Sequence, residues 1–448
     1  MVLFHRIPQI FAMGSLGLVL AGCNATGSSA TESASGTATD TDTDSETGTE
    51  TGTETGTETG TETDTSGELP EGCDALIEPS DDDQTALQGA LIDAAENSTI
   101  CLGAGTFSFN TEVTITVTGV TLRGAGIDST ALDFSDQDLG ANGILVTADN
   151  ATLELLKVVN SAGDGIRAND VTNITFRDLA VEWTADASLD NGAYGLYPVG
   201  CTGVTIQRTW VKGARDAGIY VGQSTKILVE DSEAYGNVAG FEIENSTGAT
   251  VRRNHAHDNT AGLLIFNLPG LPVKDGKRTN AYENIIENNN LPNFAEAGTI
   301  VAEVPYGVGV MILAADDNEV HDNTIRGNDS IGAVLISYNL DLLPGFDDPT
   351  FDRFAQGNYL HNNIFEANGE NPDILAIVIA GNMEPPLPAI MDDGCTDPDA
   401  MNIDDALTNC ISDNGNATYY DAAMCGGSAT SDPAGVTCTH PALPELPE

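Results

Sequence analysis

A repeat of about 22 residues in the middle of the chain limits its possible folds more than any other feature. Each copy opens with a glycine and a short apolar run, and the glycines fall 30, 23, 22 and 22 residues apart, with a later pair 23 apart. They are Gly165, Gly195, Gly218, Gly240 and Gly262, then Gly309 and Gly332. Alternation of apolar and polar residues in pieces of three to five predicts short strands. Such a period is typical of solenoids, so the sequence predicts an all-β coil of stacked rungs.

Pairs of asparagines recur late in the repeats, with four residues between the two members. These pairs are Asn254/Asn259, Asn284/Asn289, Asn323/Asn328 and Asn363/Asn368. Three short strands per rung, with asparagines returning at one corner, predict a parallel β-helix whose corner stacks the amides in ladders. We expect the β-helix to cover residues 73–390, with a helix within residues 84–96 that caps the first rung.

Aligning the rungs on their glycines places residues of equal offset about 4.8 Å apart on neighbouring rungs. Two outward columns are chemically mixed when the insertions are left out of the count. Offset twelve holds Arg177, Gln207, Glu230, Arg252, Tyr282, His321 and His361, and offset seventeen holds Glu182, Lys212, Tyr235, His257, Glu287, Arg326 and Glu366. Proton abstraction beside a sugar carboxylate needs a base, an acid and a cation. Tyr235, His257, Arg326, Arg252 and His321 are therefore candidate catalytic residues, although alternating charges on a solvated sheet would look the same.

A third column, two residues after each glycine, changes character along the coil. It reads Arg167, Tyr197, Tyr220 and Glu242, and then Leu264, Met311 and Val334. An outward face that turns apolar needs a cover, either from the cysteine-rich tail or from insertions near residues 267–280, 291–307 and 338–357. Insertions on a rigid coil commonly carry its binding surface.

The charge of the chain excludes some classes of partner. It has 68 acidic and 16 basic residues, for a net charge of -52, so nucleic acid is not an expected partner. Carboxylates cluster at Asp81–Asp83, Asp347–Asp348 and Asp392–Asp393, but without the spacing of a calcium loop. The metal ligands stay unknown, and calcium is a candidate cofactor because so acidic a protein needs a cation to bridge it to an acidic glycan.

The N-terminal segment has the features of an export signal. Residues 1–22 hold a basic residue and an apolar run too short for a transmembrane helix. They end in L-A-G before Cys23, which resembles a bacterial lipobox and implies lipidation of Cys23. Residues 23–72 are mostly Thr, Glu, Asp, Gly and Ser with no basic residue, which predicts a disordered tether. We expect an outer-membrane lipoprotein of the cell envelope that meets the membrane through its lipid anchor only.

The remaining seven cysteines fit an oxidising compartment. We expect Cys73 and Cys101 to tie the end of the tether to the first strand. Residues 391–448 form an acidic, loop-rich tail whose cysteines predict two disulfides, with three pairings open: Cys395, Cys410, Cys425 and Cys438. Cys201 is left over and is expected to be a buried thiol.

Several loop sequences resemble those of a family of bacterial parallel β-helix repeat lipoproteins of uncharacterised function. The matching stretches are Asp190–Val199 (DNGAYGLYPV), Asp216–Ser224 (DAGIYVGQS), Asn267–Pro272 (NLPGLP) and Asn290–Phe294 (NLPNF). The resemblance covers about residues 73–390 and implies a right-handed coil on an exported, often lipidated protein. It supplies no catalytic residues. More distantly, the coil is similar to the folds of pectate lyases and alginate epimerases, but their site motifs are not found here.

Two functions stay open from the sequence, and whether the protein is an enzyme is one of the questions. In the first, the protein is carbohydrate-associated, with a surface like that of a polysaccharide lyase or epimerase along the mixed columns. In the second, it is a non-catalytic surface module that recognises a glycan or an envelope protein through its insertions.

Overall fold

The computed structural model describes residues 69–338, 348–397 and 407–444. The predicted signal, Cys23 and nearly all of the tether lie outside these ranges. Within them the chain winds as a right-handed parallel β-helix of 31 strands, in agreement with the sequence prediction. Neither of its two α-helices, α1 (Asp83–Ile92) and α2 (Ile374–Ile379), has the length and apolarity to span a bilayer.

In chain order the strands are β1 (Ala75–Ile77), β2 (Thr99–Leu102), β3 (Gly105–Ser108), β4 (Thr111–Ile115), β5 (Thr121–Arg123), β6 (Thr130–Asp133), β7 (Leu139–Val146), β8 (Thr152–Val159), β9 (Asp164–Asn169), β10 (Thr172–Glu182), β11 (Tyr194–Val199), β12 (Thr202–Gln207), β13 (Trp210–Lys212), β14 (Ala217–Gly222), β15 (Thr225–Glu230), β16 (Glu233–Tyr235), β17 (Ala239–Glu244), β18 (Thr247–Arg252), β19 (His255–His257), β20 (Ala261–Phe266), β21 (Lys277–Tyr282), β22 (Ile285–Glu287), β23 (Val308–Leu313), β24 (Glu319–His321), β25 (Thr324–Arg326), β26 (Ile331–Ile336), β27 (Tyr359–His361), β28 (Ile364–Glu366), β29 (Ile390–Asp392), β30 (Cys410–Ser412) and β31 (Tyr419–Asp421).

The strands stack in three parallel ladders. The first ladder is β1-β2-β5-β8-β10-β12-β15-β18-β21-β24-β27-β30, and the second is β3-β6-β8-β10-β13-β16-β19-β22-β25-β28, with β8 and β10 long enough to serve both. The third ladder is β4-β7-β9-β11-β14-β17-β20-β23-β26-β29-β31. Side chains alternate along each strand, so every second residue points into the coil. Inner residues such as Phe176, Ile206 and Val229 are fully buried, and each contributes about 1.5–3 kcal/mol of burial free energy.

The repeated glycines mark positions where one rung lies too close to the next for a side chain. A Cβ built on Gly240 would lie 2.8 Å from the Gly262 carbonyl oxygen and 2.8 Å from Nδ2 of Asn259. Gly218 meets the equivalent atoms one rung earlier. The glycine period therefore reflects close packing of backbone and amide, which explains why it is the clearest signal in the sequence.

The asparagine pairs form two ladders, one at each end of the second-ladder strands, rather than the single corner expected from the sequence. One runs Asn254, Asn284, Asn323, Asn363 and Asn414, and the other runs Asn237, Asn259, Asn289, Asn328 and Asn368. In each step, Oδ1 accepts from the backbone N–H and Nδ2 of the asparagine before it. The four intervening residues cross one short strand, so the two members of a pair belong to different corners.

The ends of the coil are closed by the helix and the disulfides. Helix α1 begins one residue before the predicted segment 84–96 and ends at Ile92, and its Leu87 and Leu91 are buried over the first rungs. Cys73 is bonded to Cys101, and Cys201 is a buried free thiol. Of the three pairings open for the tail, the structure has Cys395 with Cys425 and Cys410 with Cys438. Strand pairing continues past residue 390, because β30 and β31 of the tail pair with β27 and β29.

The insertions and α2 cover the apolar half of the third ladder. Leu264, Met311 and Val334 share one buried cluster with Val301 and Val304 from the loop between β22 and β23. Ala376 and Ala380 of the α2 region and Met391 of β29 complete this cluster. The cover of this apolar face therefore comes from the predicted insertions and also from the segment around α2, which was not predicted.

Candidate functional site

The strand register stacks both mixed columns in the order that the glycine alignment gives. On the first ladder Arg252 is flanked by Glu230 and Tyr282, and His321 by Tyr282 and His361. On the second ladder Tyr235, His257, Glu287 and Arg326 follow one another. The five candidate catalytic residues therefore lie on two different ladders and do not converge on one point.

On the second ladder, Tyr235 and His257 are in direct contact. Their rings are 5.3 Å apart and parallel within 4°. His257 Nε2 lies 2.9 Å from Glu233 Oε1, and Nδ1 lies 2.7 Å from Asp258 Oδ2. Burial alone would lower the pKa of His257, but these two carboxylates outweigh it and raise the pKa above its ordinary value. Arg326 is two rungs away, about 10 Å, and is paired with a glutamate.

On the first ladder, Arg252 and His321 are likewise engaged. Arg252 Nε lies 2.8 Å from Glu230 Oε2, and its Nη1 donates to the Tyr282 hydroxyl at 3.0 Å. The His321 ring stacks between Tyr282 and His361, with both centroid distances 5.0 Å. Both side chains are held by their neighbours in the column, so the geometry gives this column a structural role.

A second polar site lies on the third ladder, where three carboxyl groups are buried. Asp216 precedes β14, and Glu242 and Glu244 are the two outward residues at the end of β17. The three side chains, which we call the acidic cluster, are between 1% and 9% exposed. Charged side chains are rarely buried to this extent, so the cluster is an unusual electrostatic feature of the coil.

Burial shifts the titration of the acidic cluster toward neutral pH. It raises the pKa of Asp216 to about 7, with the Glu244 charge adding to the effect, and the pKa of Glu244 to about 7 against the Tyr220 hydrogen bond. Burial and the two neighbouring acids raise the pKa of Glu242 well above its ordinary value. Among the described residues, Oε2 of Glu242 has no hydrogen-bond partner. At neutral pH the cluster therefore holds both protonated and ionised carboxyl groups.

Three tyrosines, Tyr194, Tyr197 and Tyr220, line the acidic cluster. The Tyr220 hydroxyl donates to Glu244 Oε1 at 2.7 Å, and the Tyr194 hydroxyl donates to Asp216. Tyr194 and Tyr197 stack at 4.3 Å with their planes 10° apart, and Tyr220 is tilted against both.

A glycine makes the contact between Tyr220 and the cluster possible. Gly222 stands beside Glu244 on the neighbouring rung. A Cβ on Gly222 would lie 2.2 Å from the Tyr220 hydroxyl oxygen. The missing side chain therefore gives the tyrosine ring the space through which its hydroxyl reaches the carboxylate.

The open edge of this site is aromatic and cationic. Tyr194, Tyr197, Asp164 and Arg167 are half-buried, and the Arg167 guanidinium lies 4.9 Å from the centre of the Tyr197 ring. Burial raises the pKa of Asp164 to about 6, although Arg167 opposes the shift. A ligand reaching the acidic cluster from this side would meet two stacked rings and one positive charge.

Sequence reasoning found only part of this site. Tyr197, Tyr220 and Glu242 stand in the polar half of the third column, to which the sequence assigns no function. Asp216 and Glu244 were missed. The available signal was the E-x-E at the end of β17, because two outward glutamates on a strand flanked by apolar rungs are out of place.

Most of the described carboxylates considered for calcium accept hydrogen bonds or form ion pairs within the protein. Asp83 accepts from the backbone N–H of two serines, Asp348 is paired with Lys274 at 2.5 Å, and Asp393 accepts from two backbone N–H groups. Asp347 lies outside the described ranges. Asp83 and Asp393 thus each bond both a nearby turn and a distant backbone segment.

Comparison with known proteins agrees with the architecture. Residues 142–290 match the family model described as "Right handed beta helix region". The protein is a right-handed parallel β-helix. The matched stretch runs from within β7 to just beyond β22, and it includes the acidic cluster. No curated protein matches the chain by sequence.

Solved structures similar to the chain include three proteins that are named as polysaccharide-acting enzymes. The mannuronan C-5 epimerase AlgE4 A-module of Azotobacter vinelandii is 15% identical, over 70% of this chain and 88% of that one, with a TM-score of 0.44. The polygalacturonase from Erwinia carotovora ssp. carotovora is 11% identical, over 67% and 94%, with a TM-score of 0.46. Pectate lyase Pel9A is 15% identical, over 71% and 74%, with a TM-score of 0.41.

Proposed function

We propose that the protein acts on a glycan at the acidic cluster of the third ladder. The observation that carries the proposal is the burial of Asp216, Glu242 and Glu244 side by side, with pKa values raised toward or beyond neutrality. Cleavage of a glycosidic bond needs one carboxylic acid to protonate the leaving oxygen and a second, ionised carboxylate. A cluster that holds both forms at neutral pH supplies the two roles.

The surroundings of the cluster suit a sugar. Tyr194 and Tyr197 present stacked rings at the half-buried edge, and ligand sites are commonly lined by aromatic side chains with a few polar groups. Arg167 offers a cation for a sugar carboxylate. The proposed substrate is therefore a polysaccharide chain, and an acidic sugar would be held beside Arg167.

The mixed columns support lyase or epimerase chemistry less well. Such chemistry needs a cation free to neutralise a uronate. Arg252 is held by Glu230 at 2.8 Å and Arg326 by Glu287 at 2.6 Å, so both cations already have anionic partners. We therefore assign the chemistry to the third ladder and retain lyase or epimerase action as an outcome of the test.

The test is proton NMR of the purified full-length protein with a panel of neutral and acidic polysaccharides in heavy water. New reducing-end signals alone indicate hydrolysis, new vinylic signals a lyase, and exchange of a sugar proton without cleavage an epimerase. We expect new reducing ends, with a loss of at least about 10²-fold in rate for Asp216→Asn, Glu242→Gln and Glu244→Gln.

Glu366→Gln is the matched control, because Glu366 is exposed on the second ladder. It should keep the wild-type rate. Full activity in all three cluster variants would contradict the assignment. No reaction across the panel, together with retained glycan binding, would favour the non-catalytic surface module instead.

We also propose that a lipid on Cys23 anchors the protein in the cell envelope. This proposal rests on the L-A-G-C sequence and the acidic segment that follows. Metabolic labelling with a fatty acid should mark the wild-type chain and leave Cys23→Ser unlabelled. Equal labelling of both chains would refute the anchor.

A further inference from the structure

We propose that Glu233, His255 and His257 form a binding site for a divalent transition-metal ion such as Zn²⁺. They lie on the outer face of the second ladder, away from the acidic cluster. One ligand atom from each residue lies within 4.8 Å of the others, and this is the one such group of His, Cys, Asp or Glu in the part of the chain that the structure describes.

The strand geometry aims these three side chains at one point. His255 and His257 are separated by one residue on β19, so both point outward. Glu233 on β16 is paired in register with His255 on the neighbouring rung. Glu233 Oε1 lies 2.9 Å from His257 Nε2 and 3.8 Å from His255 Nδ1. Ligand atoms of a tetrahedral Zn²⁺ lie about 3.3 Å apart, given metal–ligand distances near 2.0–2.1 Å, and the observed separations bracket this value.

The far side of each imidazole is held by a carboxylate. His257 Nδ1 lies 2.7 Å from Asp258 Oδ2, and His255 Nε2 lies 3.0 Å from Glu287 Oε1. Histidines that bind metals almost always donate their second N–H to such a partner, which fixes the tautomer and makes the ligating nitrogen more basic. The nitrogens left free to ligate are then His255 Nδ1 and His257 Nε2, the two that face Glu233.

Further contacts hold the supporting groups in place. Arg326 binds Glu287 at 2.6 Å, and the Tyr235 ring lies parallel to the His257 ring. Two residues that the sequence offered as catalytic, Tyr235 and Arg326, thus position the ligands of this site.

The donor set selects the class of metal. Two imidazoles and one carboxylate suit Zn²⁺ and the neighbouring transition metals, whereas Ca²⁺ and Mg²⁺ take oxygen ligands. Side-chain exposures of 36% for His255, 20% for His257 and 45% for Glu233 leave the site open to solvent. Three protein ligands on an open surface leave a fourth position for water or a ligand group, as in catalytic rather than structural zinc sites.

The test is a titration of chelator-treated full-length protein with Zn²⁺ by calorimetry, and with Co²⁺ followed by its visible absorption. We expect the wild type to bind one more Zn²⁺ ion than His255→Gln or His257→Gln, and Co²⁺ bound at this site to show a low-coordinate, imidazole-ligated spectrum that those variants lose. Asp258→Asn should keep the ion but weaken its binding by about 10–100-fold. Ca²⁺ should not displace it.

The control is His321→Gln, because His321 is also an outward histidine stacked on a tyrosine, but on the first ladder. It should bind Zn²⁺ as the wild type does. Glu233→Gln provides a second test on an exposed side chain, should a histidine variant fail to fold. Unchanged Zn²⁺ binding in the His255, His257 and Glu233 variants, or an equal loss in His321→Gln, would overturn the proposal.

Discussion

Replacing Asp216 by asparagine should change how the stability of the protein depends on pH. In the folded protein, burial raises the pKa of Asp216 from 3.8 to about 7. Below pH 4 the carboxyl group is protonated in both the folded and the unfolded chain, so it has no effect on the pH dependence. Between pH 4 and pH 7 the unfolded chain releases the proton while the folded chain keeps it, and the free energy of unfolding falls as pH rises.

The magnitude follows from the size of the shift. Each unit of pKa difference corresponds to about 1.4 kcal/mol, so a shift of about three units corresponds to about 4 kcal/mol between pH 4 and pH 8. Asparagine has no proton to release in this range. The free energy of unfolding of Asp216→Asn, minus that of the wild type, should therefore rise by about 4 kcal/mol from pH 4 to pH 8.

Urea unfolding of both proteins at one-unit steps from pH 4 to pH 8 measures this difference. Taking the difference removes the general effect of the large negative charge, which both chains share. Asp186→Asn, at an exposed aspartate in the loop after β10, should follow the wild type. A constant difference between Asp216→Asn and the wild type at all pH values would refute the reasoning that burial raises the pKa of Asp216 in the folded protein.

Two further predictions concern the coil itself. Asn289→Ala removes an amide that bonds both neighbouring rungs and the Ala256 carbonyl. Each buried group that loses its partner costs about 1–3 kcal/mol, so thermal and urea unfolding should show a loss of unfolding free energy several times that of one such group. Asn416→Ala, at an exposed asparagine, should cost little. Gly240→Ala should destabilise the protein by about 1–3 kcal/mol because its Cβ would press on the next rung. Gly89→Ala in α1, whose Cβ meets nothing within 4 Å, should stabilise the protein by about 0.5–1 kcal/mol. The reverse order of stability for the two glycine variants would contradict the packing explanation.

The coil could be predicted from sequence because its rungs repeat the same local physics. A glycine that faces a carbonyl oxygen, or an asparagine that bonds the equivalent asparagine of the next rung, recurs on successive rungs. One period therefore fixes strand, register and column together. The columns of Arg252 and His257 were therefore aligned correctly residue by residue. The division of the asparagines between two corners was not predicted, because the spacing alone does not say how many corners four residues span.

The acidic cluster could not be predicted in the same way, because it depends on insertions. Glu242 and Glu244 would be ordinary exposed glutamates on a bare third ladder. Tyr220, which donates to Glu244, packs in one buried cluster with Val301 and Val304 of the loop between β22 and β23. The metal-site geometry was also missed, because Glu233 and His255 come together through the stacking of two rungs and have no sequence motif of zinc-binding spacing.

The rate of glycan cleavage as a function of pH tests the central claim most directly. With the substrate found by NMR, kcat/KM should be highest near neutral pH in the wild type and in Glu366→Gln, and it should fall by at least about 10²-fold at every pH in Glu242→Gln. If Glu242→Gln keeps the wild-type rate and the wild-type pH profile, the acidic cluster is not where the chemistry takes place.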